Sequence, residues 1–514
     1  MISKSLFTAA VLLALGTAQA QEPLSGQGHY LHDEAVQLWH NTQNAAGLAQ
    51  DSSRNRGLAE FHYGHRSGDY RRVQEGGVTN TLSFYTERYQ RVGRYLHTYG
   101  RFLFRNGRVQ NRAWNDVMRT YGSNPFISGS AVAGKYDFLD FDLTARLGTV
   151  EWGGWTAGVG LDYRVGDLSR LRDPRSRSQL LDYKVAPGVS RRLGSHTLGL
   201  AGWYRRYKEK IPNLTTVQNA PNLLYYQMTG LEAATGTIGG YSGFSRQYVN
   251  HTLGAELQYA WQKQGFRTLN TLSIERGAED VLEQYKRQPA AYYTYVYKVG
   301  SQNRIVRPGL VHQLDAEAAF GQAYADEYRP QLVITLDSVT GYTSRTYTNA
   351  FTYRKRYQQE RLDLGLDYRL HFRQGTEVVR QAGVQARWAS LRQKHLLPTS
   401  TFHLQTLEVN LTYGQALLRN RRLWVEAATG FHVSAKASLC LADETGDYAQ
   451  SVWLRDMDYY RANYWQGTLA VRYQFPLAFK GYRAQGYVKG QAQTLRAQHG
   501  LDATAVGLTL GLFN

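Results

Sequence analysis

Residues 361–373 constrain the fold more than any other part of this 514-residue chain. Apolar and polar side chains alternate along them with the two-residue period of a β-strand. One face is apolar throughout, with Leu362, Leu364, Leu366, Tyr368, Leu370 and Phe372. The other face carries Asp363, Gly365, Asp367, Arg369, His371 and Arg373. A strand this long with two such faces is typical of a membrane barrel, which has lipid outside and a polar lumen inside.

The same alternation recurs along the rest of the chain. It is clearest at residues 139–147 and 155–165, and it returns at 249–261, 382–388, 407–413, 423–433 and 467–475. We interpret all of these as strands that face lipid with their apolar side.

Short and long connections alternate between these strands, as they do in outer-membrane barrels. The short ones fall at residues 92–93, 148–153, 193–195, 263–265, 307–309, 374–376, 416–421 and 476–480; the long ones fall at 67–79, 107–135, 167–179, 209–245, 277–290, 440–456 and 496–501. Residues 310–373 fit as two strands that extend past the membrane and join at residues 340–341. The sequence predicts an all-β fold, a transmembrane antiparallel up-and-down β-barrel of about 18 strands, within roughly 16 to 20.

The N-terminus carries the signature of an exported chain. Lys4 precedes an apolar stretch, and Ala18-Gln19-Ala20 offers a signal peptidase site. We therefore predict a signal peptide at residues 1–20, an N-terminal segment at 21–55 and the barrel at 56–514, exported by the Sec pathway to the cell outer membrane. Because Cys440 is the only cysteine, an intrachain disulfide is excluded.

The composition bears on the partners of the chain. A mean hydropathy of −0.49 is compatible with a barrel, since half of each strand is polar. The formal net charge of +19 points to lipid phosphates, lipopolysaccharide or anionic solutes, because an exported chain does not routinely meet nucleic acid. The final residues 506–513 alternate and resemble the terminal strand that the barrel assembly machinery recognises.

Several stretches, among them LWHNTQNAAGLAQD, RLRDPRSRSQLLDYK and YYQMTGLEAATGTIGGYSGFSR, are similar to an uncharacterised family of Bacteroidota outer-membrane β-barrel proteins. The resemblance spans the mature chain and implies the fold and location, but no activity. Members are associated with TonB-dependent receptors and surface lipoproteins, so the resemblance implies a role in nutrient uptake. NTQNAAGL at residues 41–48 resembles the lumen-inserted hatch of long-chain fatty-acid transporters, although Ala45 replaces a proline. The alternative is that residues 34–49 form a short periplasmic helix under the barrel.

Two groups of charged residues are candidate sites. The lumen-lining candidates are Asp140, Asp142, Arg146, Asp162, Arg164, Asp363, Asp367, Arg369, Arg387 and Arg472. They form either a selective pore lining or ion pairs that close the lumen, and the mixed signs favour the ion pairs. The other group is a loop with Arg170, Arg172, Arg175 and Arg177, which either binds a phosphate or is a solvated surface.

The sequence contains no Gly-x-Ser-x-Gly, HExxH or spaced Cys/His pattern, and we predict neither catalytic residues, nor a metal, nor a cofactor. His251 faces lipid and is expected to be an interfacial residue. We expect solute passage or uptake, either through a barrel gated or plugged by its N-terminus and loops or as an accessory barrel beside a TonB-dependent uptake system. The alternative is a non-conducting barrel that binds surface lipoproteins; a fatty-acid transporter or an outer-membrane hydrolase is less favoured.

Overall fold

The computed structural model describes residues 26–51, 55–119, 123–216, 223–238, 244–418, 420–479 and 482–514, and their side chains except at 237, 238, 479 and 482. The predicted signal peptide at residues 1–20 lies outside the described residues.

Eighteen long strands form the wall. In chain order they are β1 Arg56–Gly68, β2 Val78–Val92, β3 Leu96–Arg112, β4 Gly134–Thr149, β5 Trp155–Arg170, β6 Arg175–Leu193, β7 His196–Ile211, β8 Arg246–Lys263, β9 Phe266–Glu283, β10 Ala290–Arg307, β11 Leu310–Leu336, β12 Thr343–Gln374, β13 Glu377–His395, β14 Ser400–Leu417, β15 Leu423–Cys440, β16 Tyr464–Phe479, β17 Tyr482–Ala497 and β18 Asp502–Phe513.

The wall is a closed, up-and-down antiparallel barrel. Each strand pairs with its neighbours in the chain, and β1 pairs with β18 from Leu58–Phe513 to Gly68–Ala503, which leaves no edge in the membrane-spanning wall. The predicted fold class and strand number are therefore confirmed.

Exposure identifies the outer face. Large apolar side chains on alternate positions are exposed, for example Leu253 at 65%, Leu257 at 56% and Leu510 at 53%. The intervening positions are mostly polar and point inward, as at Glu256, which is buried. This arrangement is that of a barrel with lipid outside and a polar lumen inside.

The two ends of the barrel differ, and we name them by their connections. The turn end carries both barrel termini and the eight predicted short links. The loop end carries the long connections at residues 113–133, 212–245 and 441–463. The predicted connections at 167–179 and 277–290 are largely strand, because the strands extend beyond the apolar belt. The predicted connection at 496–501 is a 3-10 turn, Gln498–Gly500, after β17 ends at Ala497.

Strands β11 and β12 form a hairpin that projects from the loop end. The pairing of β10 with β11 ends at Ala290 and Glu327, and that of β12 with β13 ends at Tyr357 and His395. Beyond those residues β11 and β12 pair only with each other, up to the turn at 337–342. The prediction of two long strands joined near residues 340–341 is correct.

Helix is scarce. Helix α1 (Gln27–Val36) and short 3-10 turns at Trp39–Asn41 and Ala45–Ala49 form the N-terminal segment, residues 26–51. A π-helical turn at Ala449–Trp453 and helix α2 (Leu454–Arg461) lie in the connection between β15 and β16. Within the described ranges, no helix is long and apolar enough to cross a bilayer.

Candidate functional site

The N-terminal segment contacts the inner wall on nearly opposite sides of the barrel. At its start, the backbone N–H of Gln27 donates to Oε1 of Gln474 on β16, at 2.9 Å. Near its other end, the amide of Asn44 donates to the carbonyl of Val189 on β6, at 2.9 Å, and to Oε1 of Gln258 on β8, at 3.0 Å. The segment therefore extends across the lumen near the turn end.

Inward-facing glycines of the wall allow the segment to approach closely. A Cβ atom at Gly158 on β5 would lie 2.3 Å from the backbone N of Ala46, and one at Gly188 on β6 would lie 2.3 Å from Oδ1 of Asn44. Gly148 on β4 would clash in the same way with the carbonyl of Ala45, at 2.6 Å. These three glycines form a shallow cradle for the turn at Ala45–Ala49. The inward phase of these glycines can be predicted from the sequence, but their contacts with the N-terminal segment cannot.

A cluster around Glu87 on β2 holds α1. The carboxylate accepts hydrogen bonds from the hydroxyls of Tyr30 on α1, of Tyr85, at 2.5 Å, and of Tyr99, at 3.1 Å. Burial, together with the nearby carboxylate of Glu87, raises the pKa of Tyr30 well above its usual value, so its hydroxyl stays protonated and donates.

Arg56, the first residue of β1, belongs to the same cluster. Its guanidinium lies 4.6 Å from the ring centres of both Tyr30 and Tyr89, and it pairs with Glu34 on α1 at 2.6 Å. A buried charge held by one carboxylate and two aromatic faces is costly to unpair, so this contact favours the docked position of α1.

Asp51 ends the segment and organises its turn. The buried carboxylate accepts the backbone N–H groups of Leu38, at 3.0 Å, and of His40, at 2.9 Å. Burial outweighs these hydrogen bonds and raises the pKa of Asp51 above its usual range.

The predicted lumen residues on β4 and β5 come together in a ladder of ion pairs. Asp140 pairs with Arg105 and with Arg164, the latter at 2.8 Å. Asp162 pairs with Arg146, at 2.7 Å, and with Lys184, at 2.9 Å. The ladder continues with Asp142–Arg101 at 2.9 Å and Asp182–Arg205 at 2.6 Å. Neighbouring strands supply opposite charges, which stabilises the wall.

The remaining predicted lumen residues lie on the opposite wall. Asp363 pairs with Arg361, at 2.6 Å, and Asp367 pairs with Arg369, at 2.8 Å, so these pairs run along β12 rather than across strands. In the part of the chain that the structure describes, Arg387 and Arg472 form no ion pair. The guanidinium of Arg472 lies instead over the ring of Tyr487, at 4.4 Å.

A charged cavity of about 490 Å³ lies between the N-terminal segment and the ion-paired inner face of strands β3 to β7. Nζ of Lys184 reaches Oε1 of Gln43 of the segment, at 2.6 Å. The segment residues that line the cavity are Trp39, His40, Thr42, Gln43, Asn44, Ala45 and Leu48. The charged groups that line it are Arg101, Arg146, Arg164, Lys184, Arg205, Asp142, Asp162, Asp182 and Glu275. Five cations against four carboxylates make a polar, nearly neutral chamber, which suits a small hydrated solute and disfavours a lipid chain.

At the loop end, the three long connections pack into one aromatic core. Trp114 of the first connection lies 4.4 Å from Tyr226 of the second and 5.2 Å from Tyr448 of the third, measured between ring centres. Arg119 fastens the first connection to the wall by pairing with Glu279 on β9, at 2.7 Å. The sequence predicts loops here, and nothing in it indicates that the three connections pack together.

A second cavity, of about 410 Å³, lies beneath that loop core. Its lining is mixed: aromatic rings and aliphatic side chains lie beside polar and charged groups. The rings are Tyr357, Phe402, Tyr448, Trp453 and Tyr460, and the polar groups include Arg72, Gln74, Arg361, Gln393 and Asp456. A solute that enters from the loop end would meet this mixed cavity before the charged one.

The four arginines of the β5–β6 region all have partners within the protein. The buried guanidinium of Arg170 donates to the hydroxyl of Tyr136 and to the carbonyl of Val132, both at 2.6 Å. Arg175 pairs with Asp173 at 3.0 Å, Arg177 pairs with Asp167 at 2.7 Å, and Arg172 donates to the carbonyl of Ala133 at 3.1 Å. Anion binding by this loop remains a prediction.

His251 lies on the outer face, where its Nδ1 hydrogen-bonds to the hydroxyl of Tyr204 at 2.7 Å. Among the described residues, no group of three or more His, Cys, Asp or Glu side chains is arranged to hold a metal ion.

The family of the chain follows from a sequence comparison. A model described as a family of unknown function, DUF6850, matches residues 45–514. The chain belongs to the DUF6850 family. This agrees with the predicted membership of a family without known function; the Bacteroidota origin and the likeness to fatty-acid transporters stay predictions. No curated protein matches the chain.

Solved structures similar to this DUF6850 barrel include outer-membrane proteins of several kinds. The copper transporter OprC is 8% identical over 88% of this chain and 80% of its own, with a TM-score of 0.39. The Escherichia coli outer membrane transporter YddB is 9% identical over 90% and 81%, with a TM-score of 0.39. OpdK of Pseudomonas aeruginosa, solved with vanillate, is 10% identical over 90% and 98%, with a TM-score of 0.33. At such identities and scores, these similarities do not identify the cargo of the DUF6850 barrel.

Proposed function

We propose that this chain is a gated outer-membrane barrel that passes a small polar solute. The observation that carries the proposal is the charged cavity, which lies between the N-terminal segment and the ion-paired wall. The segment is held there by hydrogen bonds and ion pairs, which can be broken and remade without unfolding the barrel.

The outer face supports the proposed location. Exposed leucines, valines and aromatic residues surround the barrel, and a closed barrel satisfies the backbone hydrogen bonds that a bilayer cannot. The turn end, which carries both barrel termini, is then periplasmic, and the loop end faces outward. The N-terminal segment is the periplasmic gate in this proposal, and the aromatic core of the three long connections is the external one.

Flux into proteoliposomes tests the proposal. We compare the wild type with a double variant that lacks residues 26–51 and carries a short Gly/Ser linker in place of residues 442–462. Glucose, glycine and succinate should enter through the double variant and not through the wild type. Equal entry through both proteins contradicts gating, and faster uptake of oleate than of these solutes through the double variant contradicts a polar path.

A second candidate function is the binding of a surface lipoprotein, and the projecting hairpin favours it. Beyond the rim, the hairpin exposes apolar side chains such as Ile334 at 57%, Leu336 at 66% and Val339 at 92%. Its two strands have free edges there, and exposed edges with apolar side chains are common sites of protein association.

Copurification from outer membranes tests the second candidate. A variant with residues 330–353 replaced by a two-residue turn should lose a partner that the wild type retains, while its barrel stays folded. Recovery of lipid alone with the wild type contradicts the candidate.

A further inference from the structure

A row of three cations on the outer face of β7 stands apart from the lipid-facing residues below it. Going from the turn end, the outward positions of β7 are Leu198, Leu200, Gly202 and Tyr204, followed by Arg206, Lys208 and Lys210. Leu198 and Leu200 are exposed at 51% and 49%, which fixes this phase as outward. The row therefore lies directly above the apolar belt, on the loop-end side.

The neighbours of the row are apolar or neutral. In register, Arg206 lies between Tyr183 and His251, and Lys208 lies between Leu181 and Val249. The two amides that flank Lys210 are Gln179 and Gln247. Apolar side chains at the level of Lys208 place its ammonium group at a membrane interface rather than in open water.

The described residues leave the row without a counter-charge. None of Arg206, Lys208 and Lys210 forms an ion pair with a described residue, and Nε of Arg206 is buried without a hydrogen-bond partner. The nearest outward carboxylates by register are two strands away. Asp167 on β5 pairs with Arg177, and Asp280 on β9 accepts a hydrogen bond from Gln288.

We propose that Arg206, Lys208 and Lys210 bind the phosphate groups of an anionic lipid in the outer leaflet. Three cations on alternate residues of one strand form a stripe that several phosphate oxygens can bridge, and the apolar side chains below it can contact the acyl chains. Three other outward cations near the loop end are less suited, because each has a carboxylate beside it. Glu360 on β12 lies opposite Arg392 on β13, Arg177 on β6 pairs with Asp167, and Arg108 on β3 pairs with Asp137.

This inference rests on the proposed location of the barrel and not on gating. The lipid measurement uses the closed wild-type protein, so its failure leaves the flux prediction standing, and failure of gating leaves the lipid site standing.

Native mass spectrometry of the full chain in detergent tests the site, with diphosphorylated lipid A, phosphatidylcholine and inorganic phosphate as probes. The wild type should retain lipid A in preference to phosphatidylcholine. Because each cation near an anionic lipid surface contributes roughly fivefold to binding, the triple variant Arg206→Gln/Lys208→Gln/Lys210→Gln should weaken lipid A binding on the order of 100-fold. The single variant Lys208→Glu should show a smaller loss in the same direction.

The matched control removes three outward cations at the turn end, in the variant Arg191→Gln/Lys263→Gln/Arg307→Gln. It should keep lipid A binding within about twofold of the wild type. Heat-modifiable migration on gels verifies that each variant is a folded barrel. Unchanged binding by the β7 variant, equal losses in both triple variants, or displacement of lipid A by inorganic phosphate at equal concentration would overturn the proposal.

Discussion

At the scale of single residues, Asn44 is the most connected side chain of the N-terminal segment. Its amide donates to the β6 carbonyl of Val189 and to Gln258, and its Oδ1 accepts the N–H of Ala46 at 3.0 Å. The side chain is buried, and a buried polar group that loses its partner costs about 1–3 kcal/mol. One residue therefore couples the turn of the segment to two strands of the wall.

Asn44→Ala should raise the population of the undocked segment on the order of 10-fold or more, because the wall groups lose their partner. Cleavage by a Glu-specific protease after Glu34 measures that population in the folded barrel. Asn41→Ala is the control, because Asn41 is exposed and makes a single side-chain hydrogen bond, to Gln302 at 3.2 Å. Equal cleavage rates in the two variants would contradict the role of Asn44.

Asp51 should make docking depend on pH. Because burial raises its pKa in the docked state, docking favours the protonated carboxyl. Its contribution is therefore complete at pH below the ordinary aspartate pKa and is lost as the pH rises through the raised value. A nitroxide on Asn41→Cys, in the Cys440→Ser background, should grow more mobile over that range. When Asp51→Asn is added to this labelled protein, the mobility of the nitroxide should no longer change with pH. If the pH profile were the same with and without Asp51→Asn, this role of Asp51 would be refuted.

At the scale of elements, the strands and turns were predictable and the packing inside the barrel was not. Alternation is a local property, so β12 was predictable from residues 361–373 alone. The eight short links were likewise predictable from their own local sequence. The docking of residues 26–51 depends on side chains that are remote in sequence, such as Asn44 with Gln258. For the same reason, the sequence predicted Asp162 and Arg146 as lumen residues but did not pair them.

The glycine cradle is the element that admits the segment. Gly158→Val should expel the turn at Ala45–Ala49, because the new side chain would overlap the backbone of Ala46. We expect cleavage after Glu34 to accelerate on the order of 10-fold or more, given a clash that costs about 1–3 kcal/mol. Gly321→Val is the matched control, since Gly321 also faces the lumen but a Cβ atom there would have no neighbour closer than 4.0 Å. Acceleration by both variants would show that the effect is general strain of the wall.

At the scale of the whole molecule, we propose that the barrel has two closures in series around a lumen with paired charges. The N-terminal segment crosses the turn end, and the aromatic core formed by the described parts of the three long connections occupies the loop end. Because the closures are separate, removal of one leaves the other in place. We therefore expect a solute to cross only when both closures have moved.

Current across a planar bilayer tests this account most directly, with four proteins: the wild type, the variant without residues 26–51, the variant with a linker in place of residues 442–462, and the variant with both changes. We predict no current steps from the wild type, little from either single variant, and stable steps of large conductance from the double variant. Steps of that size from the wild type, or silence from a correctly folded double variant, would contradict a lumen closed at both ends.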